Sequence, residues 1–241
     1  AMQPTPPERP VLQSADRNPL DASPADRLLN GRVIVAQPVD GYRVAVDAVL
    51  LAAAVDALPG ERVLDLGCGV GSVALCLAWR CPEARIFGLE QQLEFLAFAR
   101  ANAVANAMAD RIHFEAGDVR DPPAMLRAVA FDRIVANPPY RKAGSGTVST
   151  HPLKAAATVE GDAKFEDWVR CARDLLRPGG TFTLIHRADR LDELLTALAD
   201  GFGDIAILPI VPKAARPAKR VILRAIRGAT GKRSMLPEFC L

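Results

Sequence analysis

The sequence predicts an α/β fold built on a doubly wound, mostly parallel sheet of seven strands that ends in a C-terminal antiparallel hairpin. Short apolar runs alternate with helical patterns from Arg62 onward, which is typical of a parallel sheet flanked by helices. A glycine-rich loop directly follows the first of these runs. The last two runs are joined by a basic loop without a helical pattern, so we expect that pair to be antiparallel.

The amino-terminal part precedes this alternation. Residues 1–26 hold many prolines and charges and few apolar side chains, so we predict a flexible arm there. Residues 27–238 then form one domain, which begins with an amino-terminal segment at 27–58. That segment contains a strand-like run, Gly31–Ala36, and an Ala- and Leu-rich helix, Ala45–Ala57, which a Pro-Gly pair ends.

The elements of the alternating region follow from apolar periodicity and from turn residues. The predicted strands are Arg62–Leu66, Arg85–Leu89, Ile112–Glu115, Phe131–Ala136, Thr181–Ile185, Ile205–Ile210 and Arg220–Ile226. The predicted helices are Ser72–Arg80, Gln92–Ala107, Pro123–Val129, Lys164–Leu176 and a last one marked by Leu191, Leu194, Leu195 and Leu198. In the helix Lys164–Leu176, Phe165 and Trp168 share one 3.6-period face, so we place them in the core.

Composition narrows the class of protein. The chain has 241 residues, half of them apolar, and a net charge of only +2, which gives one sizeable core and no polycation signal. The 5 cysteines form no CxxC pair, which favours reduced thiols in a cytoplasmic protein and predicts no metal site. The longest apolar run, 44–58, is interrupted by Asp47 and Asp56, so we expect no membrane partner. For the oligomeric state, a monomer is the default expectation.

The loop that follows the first strand of the alternation indicates a nucleotide-like ligand. Gly67, Gly69 and Gly71 permit positive φ and bring bare backbone close to a ligand. Asp65, two residues earlier, would repel a pyrophosphate but attract the ammonium of an amino acid, which favours S-adenosylmethionine over NAD. Glu90 ends the next strand, where a carboxylate can accept both ribose hydroxyls. Asp118, after the third strand, can accept from an adenine amine.

Asn137-Pro138-Pro139-Tyr140 leaves a buried strand through a rigid loop, because the two prolines fix φ and exclude a helix start. The Asn137 side-chain oxygen and the Pro138 carbonyl are two acceptors for the N–H groups of a planar amine, and Tyr140 offers a ring to stack on. We therefore predict these four residues as the catalytic loop. A plain Pro-rich turn with a surface tyrosine is the alternative.

Together, these motifs resemble the class I S-adenosylmethionine-dependent methyltransferases, which have a Rossmann-like fold, and Asn137–Tyr140 matches the [DNS]PP[YFW] pattern of amino-group methyltransferases. From Leu28 to Leu236 the chain is most similar to the bacterial tRNA adenine-N6 methyltransferase family. The matching stretches include the run from Gln37 to Leu51 and the strand that starts at Arg220. The resemblance implies an RNA substrate, namely a tRNA, and S-adenosylhomocysteine as the second product.

The resemblance also adds residues to the cofactor site. It implies that Gln37 and Asp47 lie over the methionine end of the cofactor, with Asp47 sharing the ammonium with Asp65. An acidic residue at a helix amino terminus is an equally good interpretation of Asp47. Gln91, Val119 and Asn137 complete the cofactor residues that the resemblance implies.

Basic residues are concentrated toward the end of the chain. From Ile205 to Pro237 there are eight Lys or Arg and no Asp or Glu, which is typical of a surface that positions a phosphate backbone. A charged edge strand that prevents aggregation is the alternative. The predicted nucleic-acid contacts are Arg141, Lys142, Lys154, Lys213, Arg216, Lys219 and Arg220. We expect the loop Lys142–Thr158 to be mobile when the site is empty.

Three functions remain open from the sequence. An RNA adenine-N6 methyltransferase is favoured by the basic residues and the amino-terminal segment. A protein glutamine methyltransferase shares the catalytic loop, but it usually carries a helical amino-terminal domain for which 26 residues are too few. A cofactor-binding protein without turnover is the third, and the intact catalytic loop counts against it.

Overall fold

The computed structural model describes residues 25–38, 46–140 and 163–241. Its strands are β1 (Ala25–Leu28), β2 (Val33–Ala36), β3 (Arg62–Leu66), β4 (Arg85–Glu90), β5 (Ile112–Ala116), β6 (Phe131–Ala136), β7 (Leu176–Arg187), β8 (Phe202–Val211), β9 (Arg220–Arg227), β10 (Ser234–Met235) and β11 (Phe239–Cys240). Its helices are α1 (Val46–Ala53), α2 (Ser72–Arg80), α3 (Leu93–Ala105), α4 (Ala124–Arg127), α5 (Phe165–Leu175) and α6 (Leu191–Leu198).

Among these described residues, the main sheet has nine strands in the order β10, β8, β9, β7, β6, β3, β4, β5, with β11 also paired to β8. Strands β3 to β7 are parallel to one another, and β9 runs antiparallel between β7 and β8. The predicted doubly wound sheet and its antiparallel hairpin are confirmed. The prediction of seven strands was incomplete, because two-residue strands β10 and β11 also pair in parallel along β8.

The strand order determines which loops meet. Leu66 pairs with Ala136, and Ala136 pairs with Leu184, so β3, β6 and β7 end side by side at the carboxyl edge of the sheet. Strand β8 runs in the same direction as β7, because both are antiparallel to β9. The basic loop 212–219 therefore leaves β8 at the same edge as the glycine loop and Asn137.

Two apolar cores cover the two faces of the sheet. One contains Leu51, Leu75 and Phe95 of helices α1 to α3. The other contains Phe165 and Trp168 of α5 together with side chains of α6, which confirms the predicted core face of α5. The helix ends one residue earlier than predicted, because Leu176 pairs with Phe131 and begins β7.

The amino-terminal segment begins with a hairpin that the sequence pattern did not predict. Strands β1 and β2 pair antiparallel, from Ala25 with Ala36 to Leu28 with Val33. Gly31 and Arg32, which were predicted as strand, belong to the turn. The hairpin starts at Ala25, two residues inside the predicted arm; residues 1–24 lie outside the described part of the chain.

Two asparagines, Asn102 in α3 and Asn106 directly after it, bind β2 and the glycine loop. Asn102 accepts from the backbone N–H of Ala36 (2.9 Å) and donates to the carbonyls of Ala36 (2.8 Å) and Val70 (3.0 Å). One turn later, Asn106 accepts from the N–H of Ile34 at 2.8 Å and donates to its carbonyl at 2.6 Å. These amides satisfy backbone groups of β2 that face α3, so α3 holds the hairpin next to the glycine loop.

Candidate active site

The three glycines of the loop after β3 serve two different purposes. All have positive φ, at 63°, 55° and 86° for Gly67, Gly69 and Gly71. A Cβ at Gly67 would lie 2.4 Å from the Trp168 ring, and one at Gly71 would lie 2.9 Å from Phe114, so these two glycines are required for packing. A Cβ at Gly69 would meet no atom within 4 Å. Gly69 is therefore the position where bare backbone is available to a ligand.

Asp65 is a buried carboxyl without a full set of partners. It lies at the carboxyl end of β3 and is 1% exposed, and its Oδ2 atom has no hydrogen-bond partner among the described residues. The pKa of Asp65 is raised to about 8, chiefly by burial; the backbone N–H of Ala74 opposes this rise and the negative charge of Glu90 contributes to it. A cationic ligand would satisfy this oxygen and stabilise the carboxylate. The arrangement fits the ammonium group of S-adenosylmethionine.

Glu90 connects the end of β4 to the glycine loop. Its Oε2 accepts from the backbone N–H of Gly69 at 2.9 Å, and its Oε1 accepts from the N–H of Gln92 at 2.8 Å. Burial raises the pKa of Glu90, and these N–H groups oppose the change. A carboxylate has about four acceptor sites, so two remain for ribose hydroxyls. Gln91 follows at the surface.

The residues after β5 lie in a short turn. Asp118 accepts from Arg120, whose Nη2 lies 2.7 Å from Oδ2 and whose backbone N lies 2.8 Å from Oδ1. The Arg120 bonds lower the pKa of Asp118. Val119 is buried in the same apolar cluster as Leu89. The sequence analysis did not predict the pair between Arg120 and Asp118. An adenine amine that donates to Asp118 would share this carboxylate with Arg120.

The predicted catalytic loop, Asn137–Tyr140, is held by side chains from two other parts of the chain. The Tyr140 hydroxyl oxygen lies 2.5 Å from Asn137 Oδ1 and 2.8 Å from Asp47 Oδ2. Arg220 Nε lies 3.1 Å from the same Asp47 oxygen, and the Arg220 guanidinium lies over the Tyr140 ring, 4.9 Å from its centroid. Pro138 is buried, and Pro139 is partly buried. Helix α1 and strand β9 thus meet behind the loop.

Several predicted site residues differ from their expected surroundings. Asp47, expected at the cofactor ammonium, binds Tyr140 and Arg220. Arg220, predicted as a phosphate contact, is part of that ion pair. Gln37 is fully buried and its side chain donates to Asp26. Lys213, Arg216 and Lys219 are exposed in the basic loop, and their contacts to a nucleic acid stay a prediction. Arg141, Lys142, Lys154 and the rest of the loop Lys142–Thr158 lie outside the described residues.

His186 was missed by the sequence analysis. It lies near the carboxyl end of β7, is fully buried, and its ring centroid lies 5.0 Å from that of Tyr140. Neither ring nitrogen has a hydrogen-bond partner among the described residues. Burial lowers the pKa of His186 to about 4, and the positive charge of Arg190 adds to the effect, so the ring is neutral at pH 7. Its only sequence signal was a histidine directly after a predicted buried strand.

A doubly wound sheet with a glycine loop, a buried acidic residue before it and a proline-rich loop beside it defines a Rossmann-like S-adenosylmethionine-dependent methyltransferase. The sequence model of the methyltransferase small domain matches residues 43–210, and the chain belongs to this family.

Comparison with known proteins agrees with this class. The chain is 35% identical over 177 residues to a tRNA1(Val) (adenine(37)-N6)-methyltransferase of Porphyromonas gingivalis, covering 71% of this chain and 69% of that protein. A crystal structure described as a predicted O-methyltransferase from Agrobacterium tumefaciens superposes with a TM-score of 0.66 at 27% identity, covering 80% of this chain and 86% of that one.

A third match carries the cofactor. The T. thermophilus 16S rRNA N2 G1207 methyltransferase, solved with AdoMet and guanosine, has a TM-score of 0.59 at 25% identity and covers 85% of this chain and 50% of that one. The family and these structural neighbours support S-adenosylmethionine as the cofactor of this chain. Among the described residues, no helix has the length and apolar character needed to cross a bilayer.

Proposed function

We propose that the protein transfers a methyl group from S-adenosylmethionine to the N6 amine of an adenine in RNA, with tRNA as the substrate. One observation carries the proposal: Leu66 pairs with Ala136, so the glycine loop and Asn137 leave neighbouring strands at one edge of the sheet. A methyl donor on the first loop and an amine on the second would then lie next to each other. Such alignment is the main requirement of methyl transfer.

The residues around the glycine loop fit the cofactor. S-adenosylmethionine, when bound, supplies a methyl group that its sulfonium has already activated. Asp65 would hold the ammonium, since its buried Oδ2 lacks a partner in the described structure. Gly69 leaves room for the ligand against the backbone, and Glu90 keeps acceptor sites for the ribose hydroxyls. Asp118 and Val119 would contact the adenine end.

The catalytic loop would bind the substrate amine. An aromatic amine is a weak nucleophile, because its lone pair is delocalised into the ring. The Asn137 side-chain oxygen and the Pro138 carbonyl would accept its two N–H bonds and stabilise the positive charge that develops on nitrogen. The Tyr140 ring would stack on the base, a contact worth about 1–3 kcal/mol. The proton can leave after the transfer, so no strong general base is required.

The basic loop favours a nucleic acid over a protein substrate. Lys213, Arg216 and Lys219 are exposed and lie between β8 and β9, at the sheet edge that carries Asn137. Cations beside a base-binding site position a phosphate backbone. The name of the P. gingivalis relative indicates the same substrate class. We further propose that the enzyme works in the cytoplasm, where tRNA is found.

Transfer of labelled methyl groups tests the substrate class. The protein is incubated with labelled S-adenosylmethionine and either tRNA, duplex DNA or a protein extract, and the label is followed after nuclease or protease digestion. We expect label in tRNA that nuclease releases. Label in protein that survives nuclease would contradict the proposal and would favour a glutamine side chain.

A pair of charge variants tests the basic loop separately. The double variant Lys213→Ala with Lys219→Ala removes two cations at the carboxyl edge of the sheet. The control, Arg85→Ala with Arg177→Ala, removes two cations from the opposite edge, where β4 and β7 begin. We expect the first pair to raise KM for tRNA. It should also reduce the slope of log KM against log salt concentration by about two, one unit for each cation. The second pair should change neither quantity. Equal effects of the two pairs would contradict the placement of RNA on this loop.

A further inference from the structure

Four side chains from three distant parts of the chain are linked behind the catalytic loop. We call Arg220, Asp47, Tyr140 and Asn137 the hydroxyl network. Arg220 and Asp47 are 173 residues apart in sequence and form an ion pair at 3.1 Å. Asp47 and Tyr140 are 93 residues apart and meet at 2.8 Å. Asp47 is only 3% exposed, so the network is shielded from water on its Asp47 side.

The number of protons in this network restricts how it is bonded. The Tyr140 hydroxyl has one hydrogen, yet it lies 2.8 Å from an Asp47 oxygen and 2.5 Å from the Asn137 amide. The Asp47 carboxylate, paired with Arg220, only accepts hydrogen bonds. The Asn137 amide can present either Oδ1 or Nδ2 to the phenol, because its two ends have the same shape. If Nδ2 faces the phenol, Asn137 donates to Tyr140 and Tyr140 donates to Asp47, so both contacts are hydrogen bonds.

We infer that Asp47, held by Arg220, fixes the direction of the Tyr140 hydroxyl and thereby turns the Asn137 amide so that Oδ1 faces the substrate amine. The inference rests on the proposed function, because an amine needs an acceptor at this point. With the amide reversed, Nδ2 would oppose the N–H groups of the substrate and the acceptor would be lost. Asp47 and Arg220 are thus positioning residues for Asn137.

A double-mutant cycle on kcat tests this coupling. Tyr140→Phe keeps the ring but removes the hydroxyl, and Asp47→Ala removes its acceptor. We expect each variant to lower kcat about 10- to 100-fold, as is typical when the partner of a site residue is lost. The double variant should be no slower than the slower single variant, because both act through the same amide. Kd for S-adenosylmethionine should stay within about twofold, since neither change removes Asp65 or Gly69.

Arg220 has a matched control on the neighbouring strand. Arg187 lies opposite Arg220 in the β7–β9 pairing, and its guanidinium binds Asp189 instead. Arg220→Met should lower kcat, Arg220→Lys should restore part of it, and Arg187→Met should leave it unchanged. Equal losses from Arg220→Met and Arg187→Met would show a general effect of charge at this edge and would overturn the inference.

A spectroscopic measurement reports on the network without turnover. The chain has 2 tyrosines, Tyr42 and Tyr140, so a Tyr42→Phe background leaves one ring to observe. In protein with labelled tyrosine, the ¹³Cζ shift of Tyr140 should change with Asp47→Ala and stay constant with Arg187→Met. No change with Asp47→Ala would overturn the inference.

The outcomes distinguish this inference from the proposed function. An active wild type with additive losses in the cycle would overturn the inference and leave the proposed function intact. Loss of S-adenosylmethionine binding in Asp47→Ala would indicate that Asp47 binds the cofactor ammonium, and this result would also overturn the inference. A wild type that methylates no RNA would contradict the proposed function, and the Tyr140 shift would then decide the network alone.

Discussion

Replacing Gly69 by alanine tests whether the backbone of the glycine loop faces the cofactor, separately from the packing of the loop. Gly69 has a φ of 55°, and an added Cβ meets no protein atom within 4 Å. Gly60 is a matched control: its φ is 79°, its added Cβ also meets no atom within 4 Å, and it lies at the opposite end of β3. Both substitutions therefore place alanine at a positive φ without a clash, and they differ in what faces the new methyl group.

The strain and the contact with the ligand have separate magnitudes. Placing alanine in the left-handed region costs about 1–2 kcal/mol, so both variants should lose that much stability. In a chain of this size, such a loss lowers Tm by about 2–8 °C. A methyl group forced between the loop and a bound cofactor costs about 1–3 kcal/mol more, as overpacking does in a core. That weakens cofactor binding by about 5- to 150-fold, in Gly69→Ala only.

Calorimetry measures both quantities. Thermal scans should give similar Tm values for Gly69→Ala and Gly60→Ala, and titration with S-adenosylhomocysteine should show weak binding only for Gly69→Ala. If Gly69→Ala binds the ligand as tightly as Gly60→Ala, the backbone at Gly69 does not contact the cofactor.

Three further predictions concern buried polar groups. The pKa of Asp65 is about 8, so this carboxyl is about nine-tenths protonated at pH 7. Binding of an ammonium ligand should then release a proton, seen as a buffer-dependent titration enthalpy that Asp65→Asn abolishes; equal enthalpies in all buffers would contradict this. The pKa of His186 is lowered from 6.5 to about 4, so the unfolded state binds more protons between these values and stability is lost as pH falls from about 6.5 to 4. The free energy of unfolding falls by about 3 kcal/mol over this range, and His186→Phe should abolish that fall in urea unfolding measured at pH 7, 5 and 4. The same dependence of the free energy of unfolding on pH in both proteins would refute the assignment. Asn102→Ala leaves the Ala36 N–H and the Ala36 and Val70 carbonyls without their partner, which should cost about 3–5 kcal/mol in urea unfolding at pH 7; a loss below about 1 kcal/mol would mean that other groups replace Asn102.

Local sequence signals were enough to predict the bounds of the elements next to the glycine loop and Asn137. The predicted bounds of β3, α2 and β6 agree with the structure, because apolar runs there are bounded by glycine, proline or charged residues. Strand β7 extends beyond its prediction at both ends, from Leu176 to Arg187, since pairing with β6 and β9 determines its length. Strands β1, β10 and β11 are short and lack an apolar pattern, so only their pairing partners define them.

Some residues of the candidate site could likewise be placed from the sequence, and others could not. Asp65 and Glu90 lie at the carboxyl ends of the parallel strands β3 and β4, and Gly69 follows β3, so position along the chain places all three at one edge of the sheet. The surroundings of Asp47 depend on contacts 93 and 173 residues away, which spacing cannot reveal. For the same reason, Arg220 was counted with the basic loop although its guanidinium pairs with Asp47.

In the proposed function, Asn137 directs methyl transfer to an adenine amine in RNA. The most direct test is nucleoside mass spectrometry of tRNA after incubation with S-adenosylmethionine and either wild type or Asn137→Ala. We expect N6-methyladenosine with wild type and none with Asn137→Ala, while both proteins bind S-adenosylhomocysteine with similar Kd. A methyl group on a different nucleoside, or N6-methyladenosine formed equally by Asn137→Ala, would contradict the proposed function.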